Sequence, residues 1–247
     1  MFIPLSDDNS NRHSFPLVTF SIIALNCIFW LLQLSEGEKF TYAYSAIPFE
    51  ILNNVDLSGV QTITVGTNQH KINLYPGPSP IYLTLLTAMF MHGSWMHIIG
   101  NMLYLFIFGD QIEDRLGKLK FILFYLLSGI MASISHILGD PTSVIPSLGA
   151  SGAIAGVLGA YLLAYPKNLI KVLIIRQITY IPAFIVLGIW FTTQIFSQIG
   201  AGPESDGVAY LAHIGGFIAG TILFYFMQGS EKQTKKIKKK KLSVNRK

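Results

Sequence analysis

Residues 119–138 read LKFILFYLLSGIMASISHIL, a run in which Lys120 is the only charged side chain. A helix needs about 20 apolar residues to cross the hydrocarbon core of a bilayer, so we expect this run to span a membrane. The whole 247-residue chain fits this interpretation, since 51% of it is hydrophobic and only 13% is charged. A soluble domain carries about 25% charged residues. The composition therefore excludes a water-soluble globule and a mostly disordered chain.

Five further apolar runs accompany this stretch. The six predicted spans are Leu17–Leu34, Met96–Gly109, Leu119–Leu138, Ser151–Tyr165, Leu169–Ile195 and Val208–Met227. We therefore predict an all-α fold, a polytopic membrane helix bundle with six transmembrane helices in residues 17–228. A short segment, residues 1–16, precedes the bundle, and a basic tail, residues 229–247, follows it. Residues 35–95 form a long first loop between the first two spans.

Lysine and arginine residues indicate the orientation of the bundle. Cytoplasmic loops carry an excess of these residues, and here one set of segments holds nearly all of them, including Arg12, Arg115, Lys167 and the tail. The opposite segments hold only Lys39 and Lys71. We therefore predict that both termini are cytoplasmic and that the first loop is on the outer side. The first 16 residues lack a basic n-region, so the first span is expected to be a retained anchor.

Net charge and cysteine content exclude several partners and cofactors. Most of the formal charge of +5 comes from the run Lys235–Lys241, so it does not indicate a nucleic-acid-binding face. This tail is expected to be solvated, with weak attraction to anionic lipid headgroups as the alternative. A single cysteine allows neither an intramolecular disulfide nor a cysteine-based metal cluster. We predict no metal and no cofactor.

Three polar clusters occur where a membrane span should be apolar. They are His92-Gly-Ser-Trp-Met-His97-Ile-Ile-Gly-Asn101, Gly149-Ala-Ser151-Gly152-Ala-Ile-Ala-Gly156 and Ala212-His213-Ile-Gly-Gly216-Phe-Ile-Ala-Gly220. Polar groups at membrane depth are costly and usually functional. All three clusters lie toward the predicted outer side, so they could meet at one depth.

Serine and histidine form the minimal pair of nucleophile and base. Ser151 is predicted to begin a helix, where free backbone N–H groups favour a developing oxyanion. His97 and Asn101 are four residues apart, so they share a helical face and could donate to that oxyanion. Each feature has a structural alternative: close packing at Ser151, a hydrogen-bonded structural His213, and interhelical hydrogen bonding by His97 and Asn101. His92 is expected in a loop because it lies off that helical face.

Small residues explain how the helices could approach each other. Gly152 and Gly156 form one small-xxx-small row, and Ala212, Gly216 and Gly220 form another. Contact between the two rows would bring Ser151 within hydrogen-bond reach of His213.

These motifs resemble the rhomboid family of intramembrane serine proteases, of the prokaryotic type with a six-helix core. The resemblance rests on H-x4-H-x3-N at His92, His97 and Asn101, G-x-S-G at Gly149–Gly152, and A-H-x-x-G-x-x-x-G at Ala212–Gly220. A further similarity is the four-residue stride through Gly109, Glu113 and Gly117. The opening residues MFIPLSDDN also resemble the start of prokaryotic members.

The resemblance implies specific roles for these residues. Ser151 would be the nucleophile and His213 the general base, while His97 and Asn101 would stabilise the oxyanion. His92, Glu113 and the glycines Gly149, Gly152, Gly156, Gly216 and Gly220 would be structural. The implied reaction is hydrolysis of a peptide bond in or beside a transmembrane helix of a membrane protein substrate. The implied location is a prokaryotic cytoplasmic membrane.

The sequence departs from the family pattern beside the predicted base. Members often carry an aromatic residue four positions after the serine, where it stacks on the imidazole, but this chain has Ala155. Phe217 and Tyr161 are the candidates to pack on His213 in its place. The first loop also lacks the Trp-Arg pair that many members carry.

Competing functions are distinguished by other features. A proteolytically inactive relative that binds client transmembrane helices is the main alternative. A transporter or channel would predict internal repeats and charged residues along a pathway, and the sequence has neither. The H-E-x-x-H motif of zinc proteases does not occur. Asp110 and Asp140 sit at predicted helix ends, which disfavours an aspartyl protease.

Overall fold

The structure is a computed structural model that describes residues 2–8, 10, 12–65, 68–200 and 208–228. The basic tail predicted for residues 229–247 lies outside the described residues.

Within the described residues, six long helices form the bundle, together with three short helices in the first loop. The long helices are α1 (Leu17–Glu36), α5 (Trp95–Leu116), α6 (Lys118–Gly139), α7 (Ser151–Ala164), α8 (Ala183–Gly200) and α9 (Tyr210–Met227). The short ones are α2 (Glu38–Ala43), α3 (Pro48–Asn53) and α4 (Thr84–Thr87). The predicted helical membrane bundle is confirmed, and most predicted helix ends lie within two residues of the observed ones.

Four of these helices are long and apolar enough to cross a membrane: α1, α6, α8 and α9. Helix α5 is also long, but it continues beyond the predicted end at Gly109 into a polar last turn with Glu113 and Arg115. Helix α7 has only 14 residues, and every residue from Gly152 to Tyr161 is buried. Because α7 is rich in glycine and alanine, its neighbours can surround it closely. It is the central helix of the bundle.

The predicted fifth span, Leu169–Ile195, is wrong in its first part. Its residues form two antiparallel strands, β4 (Leu169–Ile174) and β5 (Gln177–Pro182), and the helix starts only at Ala183. β-branched side chains favour a strand here, and Ile175 takes the left-handed backbone conformation that the turn requires. A short apolar run does not distinguish a strand from a buried helix by periodicity, which explains the error.

Strand β1 (Phe2–Ser6) completes a three-stranded sheet by pairing with β4, in the order β1-β4-β5. The sequence patterns did not predict this sheet. Just after β1, the Asp7 carboxylate accepts hydrogen bonds from the Tyr161 hydroxyl at 2.7 Å and from the Gln111 amide. These bonds fasten the chain start to α5 and to the C-terminal half of α7.

Glu113 ties α1 to α5. Its carboxylate is buried and accepts hydrogen bonds from the backbone N–H groups of Val18 and Thr19, at 3.0 and 2.7 Å. These are amides of the first turn of α1, which have no partner within the helix. A carboxylate there also complements the positive end of the helix dipole. The structural role implied for Glu113 therefore has a physical basis in helix capping.

The first loop is compact. Besides its short helices it holds an antiparallel pair, β2 (Gly59–Val65) and β3 (Asn68–Leu74). Ala46 pairs with Ser147, and the Gly149 N–H donates to the Ala88 carbonyl at 2.8 Å. These bonds join the loop to the segment that leads into α7, so the loop helps to fix the position of Ser151.

Glu50 in α3 makes the stability of this loop pH-dependent. Its carboxyl is buried and accepts a hydrogen bond from the Leu57 N–H at 2.8 Å. Burial raises the pKa of Glu50 from 4.5 to about 7, and the nearby charge of Asp56 contributes to the rise. Because the folded loop holds the proton more tightly than the unfolded one, the resulting stabilisation is complete below about pH 4.5 and is lost as the pH rises through about 7.

We expect Glu50→Gln to remove this pH dependence, because glutamine stays neutral and can still accept from the Leu57 N–H. Hydrogen exchange over residues 48–57, compared between the two proteins at each pH, measures the effect. The wild type should match the variant at pH 4 and be less protected than it at pH 8. Equal protection at both pH values would contradict the role of Glu50.

Candidate active site

Ser151 and His213 meet at one end of the bundle. Ser151 is the first residue of α7 and His213 lies in the first turns of α9. The Ser151 Oγ is 2.8 Å from the His213 Nε2. This distance lies within the range in which an imidazole can take the proton of a hydroxyl nucleophile.

Close approach of α7 and α9 produces this distance. A Cβ atom added at Gly220 would overlap the backbone of Gly156, and one added at Gly216 would overlap the Gly152 carbonyl. The two predicted rows of small residues are therefore in backbone contact. Gly156 and Gly152 also face α6, where an added Cβ would lie 2.6 Å from the Ser128 Cβ and 2.5 Å from the Ala132 Cβ.

The imidazole of His213 is held from its other side by α8. Its Nδ1 is 2.8 Å from the Oε1 of Gln194. The indole ring of Trp190 lies 5.9 Å from the imidazole at 36°, and the ring of Tyr210 lies 6.4 Å away, edge-on.

The residues beside the His213 ring are not the two predicted candidates, Tyr161 and Phe217. Tyr161 lies toward the other end of α7, where its hydroxyl binds Asp7. Phe217 stacks on Phe191 and Trp190, so it supports the indole that lies beside the imidazole. Trp190 and Tyr210 are thus the aromatic neighbours of His213.

Asn101 and His92 form a second pair of polar residues. The Asn101 Nδ2 is 3.0 Å from the His92 Nε2, and both residues are buried. His92 precedes α5 and is fixed by Gln33 of α1, which accepts from its backbone N–H and donates to its carbonyl, both at 2.9 Å. An amide group carries two N–H bonds, so Asn101 keeps one donor after bonding His92.

His97 lies against the segment that precedes Ser151. Ser94 caps α5 by accepting from the His97 N–H at 3.1 Å, and the Gly93 N–H donates to the His97 Nδ1 at 3.4 Å. With Nδ1 as an acceptor, the proton of a neutral ring is on Nε2. A Cβ added at Gly149 would lie 2.8 Å from that Nε2. The structure thus brings His97 close to the chain two residues before Ser151.

Gly149→Ala should disturb this arrangement. Gly149 has a φ of +126°, which residues other than glycine rarely adopt, and the added methyl group would push against the His97 ring. We expect any hydrolysis that uses Ser151 to slow by about 100-fold, the size of effect that a displacement of about 1 Å can have. Gly100→Ala is the matched control, because a Cβ there meets nothing within 4 Å. Activity of Gly149→Ala close to that of the control would argue against the contact.

A cavity of about 20 Å³ adjoins Ser151. Small residues make up most of its lining, among them Gly129, Ala132, Ser133 and Ser147. A water molecule needs a cavity of about 10–15 Å³, so this cavity has room for one.

Four neighbours of the site were not predicted from the sequence: Gln33, Trp190, Gln194 and Tyr210. The sequence does indicate that Gln33 and Gln194 have polar partners, because an uncharged amide in an apolar helix needs a hydrogen-bond partner. Their partners are far away in sequence, at His92 and His213, and the sequence does not identify them. Trp190 carried no signal beyond its size.

The comparisons with known proteins agree with the fold. The family model described as Rhomboid domain matches residues 80–230. The protein is a polytopic helical membrane protein. More specifically, the chain belongs to the rhomboid family.

Individual relatives are distant. The chain is 28% identical over 162 residues to the putative rhomboid protease YdcA of Bacillus subtilis, covering 66% of this chain and 69% of that protein. It is 29% identical over 186 residues to the rhomboid protease GluP of the same organism, covering 73% of this chain and 33% of GluP. It is 27% identical over 152 residues to the chloroplastic rhomboid-like protein 11 of Arabidopsis thaliana, covering 60% of this chain and 53% of the relative. The chain thus spans about half the length of the plant relative.

Proposed function

We propose that this protein is an intramembrane serine protease that hydrolyses peptide bonds in or near transmembrane helices of membrane protein substrates. The observation that carries the proposal is the distance of 2.8 Å between the Ser151 Oγ and the His213 Nε2 at the start of α7. Two bacterial relatives that carry the words rhomboid protease in their names support it.

In the first step the Ser151 Oγ attacks the carbonyl carbon of the scissile bond, and its proton passes to the His213 Nε2. The carbonyl oxygen becomes an oxyanion. The backbone N–H of Ser151, the Nε2–H of His97 and the remaining N–H of Asn101 are the donors we assign to it. Collapse of the intermediate breaks the C–N bond, and the leaving amine takes the proton from His213.

In the second step water attacks the acyl-enzyme. His213 accepts a proton from the water, the ester bond breaks and Ser151 regains its proton. The cavity beside Ser151 has room for one water molecule, which supports access of water to the acyl-enzyme. A helical substrate must unwind locally before its carbonyl is exposed, so small or helix-weakening residues are expected near the cut.

We place the protein in a prokaryotic cytoplasmic membrane with both termini in the cytoplasm. The distribution of Lys and Arg supports this orientation. In it, the site opens toward the outer side and the sheet β1-β4-β5 lies on the cytoplasmic side. The basic tail, residues 229–247 outside the described ones, would then be solvated on the cytoplasmic side, with weak attraction to anionic lipid headgroups as the alternative.

A direct test uses the purified full chain reconstituted in vesicles with a single-span substrate. The proposal predicts two fragments, with the cut mapped by mass spectrometry in or beside the substrate helix, and inhibition by a fluorophosphonate that labels Ser151. Binding of the substrate helix with neither cleavage nor labelling would support the inactive, client-binding alternative and would overturn the proposal.

A further inference from the structure

Gln194 is an uncharged amide buried in a membrane helix. It is 9% exposed, whereas most of α8 is half-buried or exposed; Ala183, Val186 and Leu187 are the other buried residues of this helix. An amide buried among apolar groups is costly unless its donors and acceptor are paired. Here the acceptor faces the imidazole of His213.

Neighbouring groups on α8 determine which way this amide points. The Gln194 Nε2 donates to the Trp190 carbonyl at 3.2 Å and to the Thr193 Oγ1 at 3.3 Å. The hydroxyl proton of Thr193 is itself used, because Thr193 donates to the Trp190 carbonyl at 2.6 Å. If the amide were turned over, its oxygen would face two acceptors. The network therefore assigns the Oε1 to the side of His213.

The oxygen of Gln194 in turn selects one tautomer of His213. A neutral imidazole has one N–H, and an amide oxygen only accepts hydrogen bonds, so the proton must be on Nδ1. The Nε2 is then unprotonated and able to accept the proton of Ser151, which lies 2.8 Å away. The other tautomer would leave the Gln194 oxygen unpaired and the Nε2 unable to act as a base.

We propose that Gln194 is the positioning residue of the site, which holds His213 in the tautomer and orientation that its role as general base requires. This inference rests on the proposed function. Gln194 acts through His213 and touches no reacting atom. Because Trp190, one turn earlier on the same helix, lies beside the same imidazole, α8 fixes the base both by a hydrogen bond and by ring contact.

The test compares Gln194→Met with Gln194→Glu in the full chain in vesicles. Methionine has a similar length and cannot accept the Nδ1–H in the way an amide oxygen does, so kcat should fall by roughly 10- to 100-fold. The KM should stay within about twofold, because the change affects the base rather than the binding of the substrate. Labelling of Ser151 by a fluorophosphonate should slow by a similar factor. Gln194→Glu, protonated at this buried position, keeps an oxygen that accepts from the Nδ1–H and an O–H that donates to the Trp190 carbonyl as the amide does, so it should restore most of kcat.

Gln69→Leu, in the exposed strand β3, is the control for the loss of a glutamine amide. Wild-type kcat and labelling rate in Gln194→Met would overturn the inference, and so would a rise in KM with kcat unchanged. If Gln194→Met does not fold, Gln194→Glu decides: a folded Glu variant with kcat near wild type supports the positioning role, and one with the loss expected of Met contradicts it. A wild-type protein that neither cleaves nor is labelled refutes the proposed function itself, which is a separate outcome.

Discussion

Ser151→Ala is expected to abolish proteolysis and fluorophosphonate labelling while leaving the fold intact. The hydroxyl is the only group that the proposed reaction joins covalently to the substrate, and removing the nucleophile of a serine protease costs about a factor of 10⁶ in kcat. Alanine fills the same space without the oxygen, and Ser151 begins α7 without a side-chain capping bond. The thermal unfolding midpoint should therefore change little.

The matched control for this prediction is Ser21→Ala. The exposed Ser21 hydroxyl donates to the carbonyl of Leu17 in its own helix α1 at 2.8 Å, so its removal does not alter the contacts of Ser151 or His213. Both variants are assayed with the same reconstituted substrate, and stability is followed by thermal unfolding in detergent. Cleavage by Ser151→Ala at the same position and rate as by the wild type would exclude Ser151 as the nucleophile.

Sequence patterns predicted the central part of the site because they report on short-range geometry. The spacing of Gly152 and Gly156 on one helix, and of Gly216 and Gly220 on another, can be satisfied by close packing of two helices. The structure has this packing, with Ser151 and His213 at one end of it. The position of His97 and Asn101 on one helical face follows from the same periodicity.

The remaining parts of the site depend on contacts that local patterns do not contain. The bond from Gln194 to His213 and the bonds from Gln33 to His92 join different helices, and only the assembled bundle determines them. The same holds for the hairpin of β4 and β5. Its apolar residues fit either a helix or a strand. Pairing of β4 with β1, more than 160 residues earlier in the chain, stabilises the strand.

Close packing between α7 and α9 also indicates where a substitution should destabilise the fold most. Gly220 is the clearest case, because a Cβ there would overlap the Cα and the carbonyl of Gly156. Backbone atoms in the middle of a helix cannot move aside as a flexible side chain can. A single methyl group at position 220 must therefore push the two helices apart.

We expect Gly220→Ala to lower the free energy of unfolding by about 3 kcal/mol, the upper part of the usual range for overpacking. Separation of α7 from α9 should also lengthen the distance from Ser151 to His213, and cleavage should fall by about 100-fold. Gly188→Ala in α8 makes the same chemical change where the added Cβ meets nothing within 4 Å, so it should leave stability and cleavage near the wild-type values. Thermal unfolding and cleavage of the two variants measure the difference. If Gly220→Ala were as stable and as active as Gly188→Ala, backbone contact between the two helices would not be what holds the serine and the histidine together.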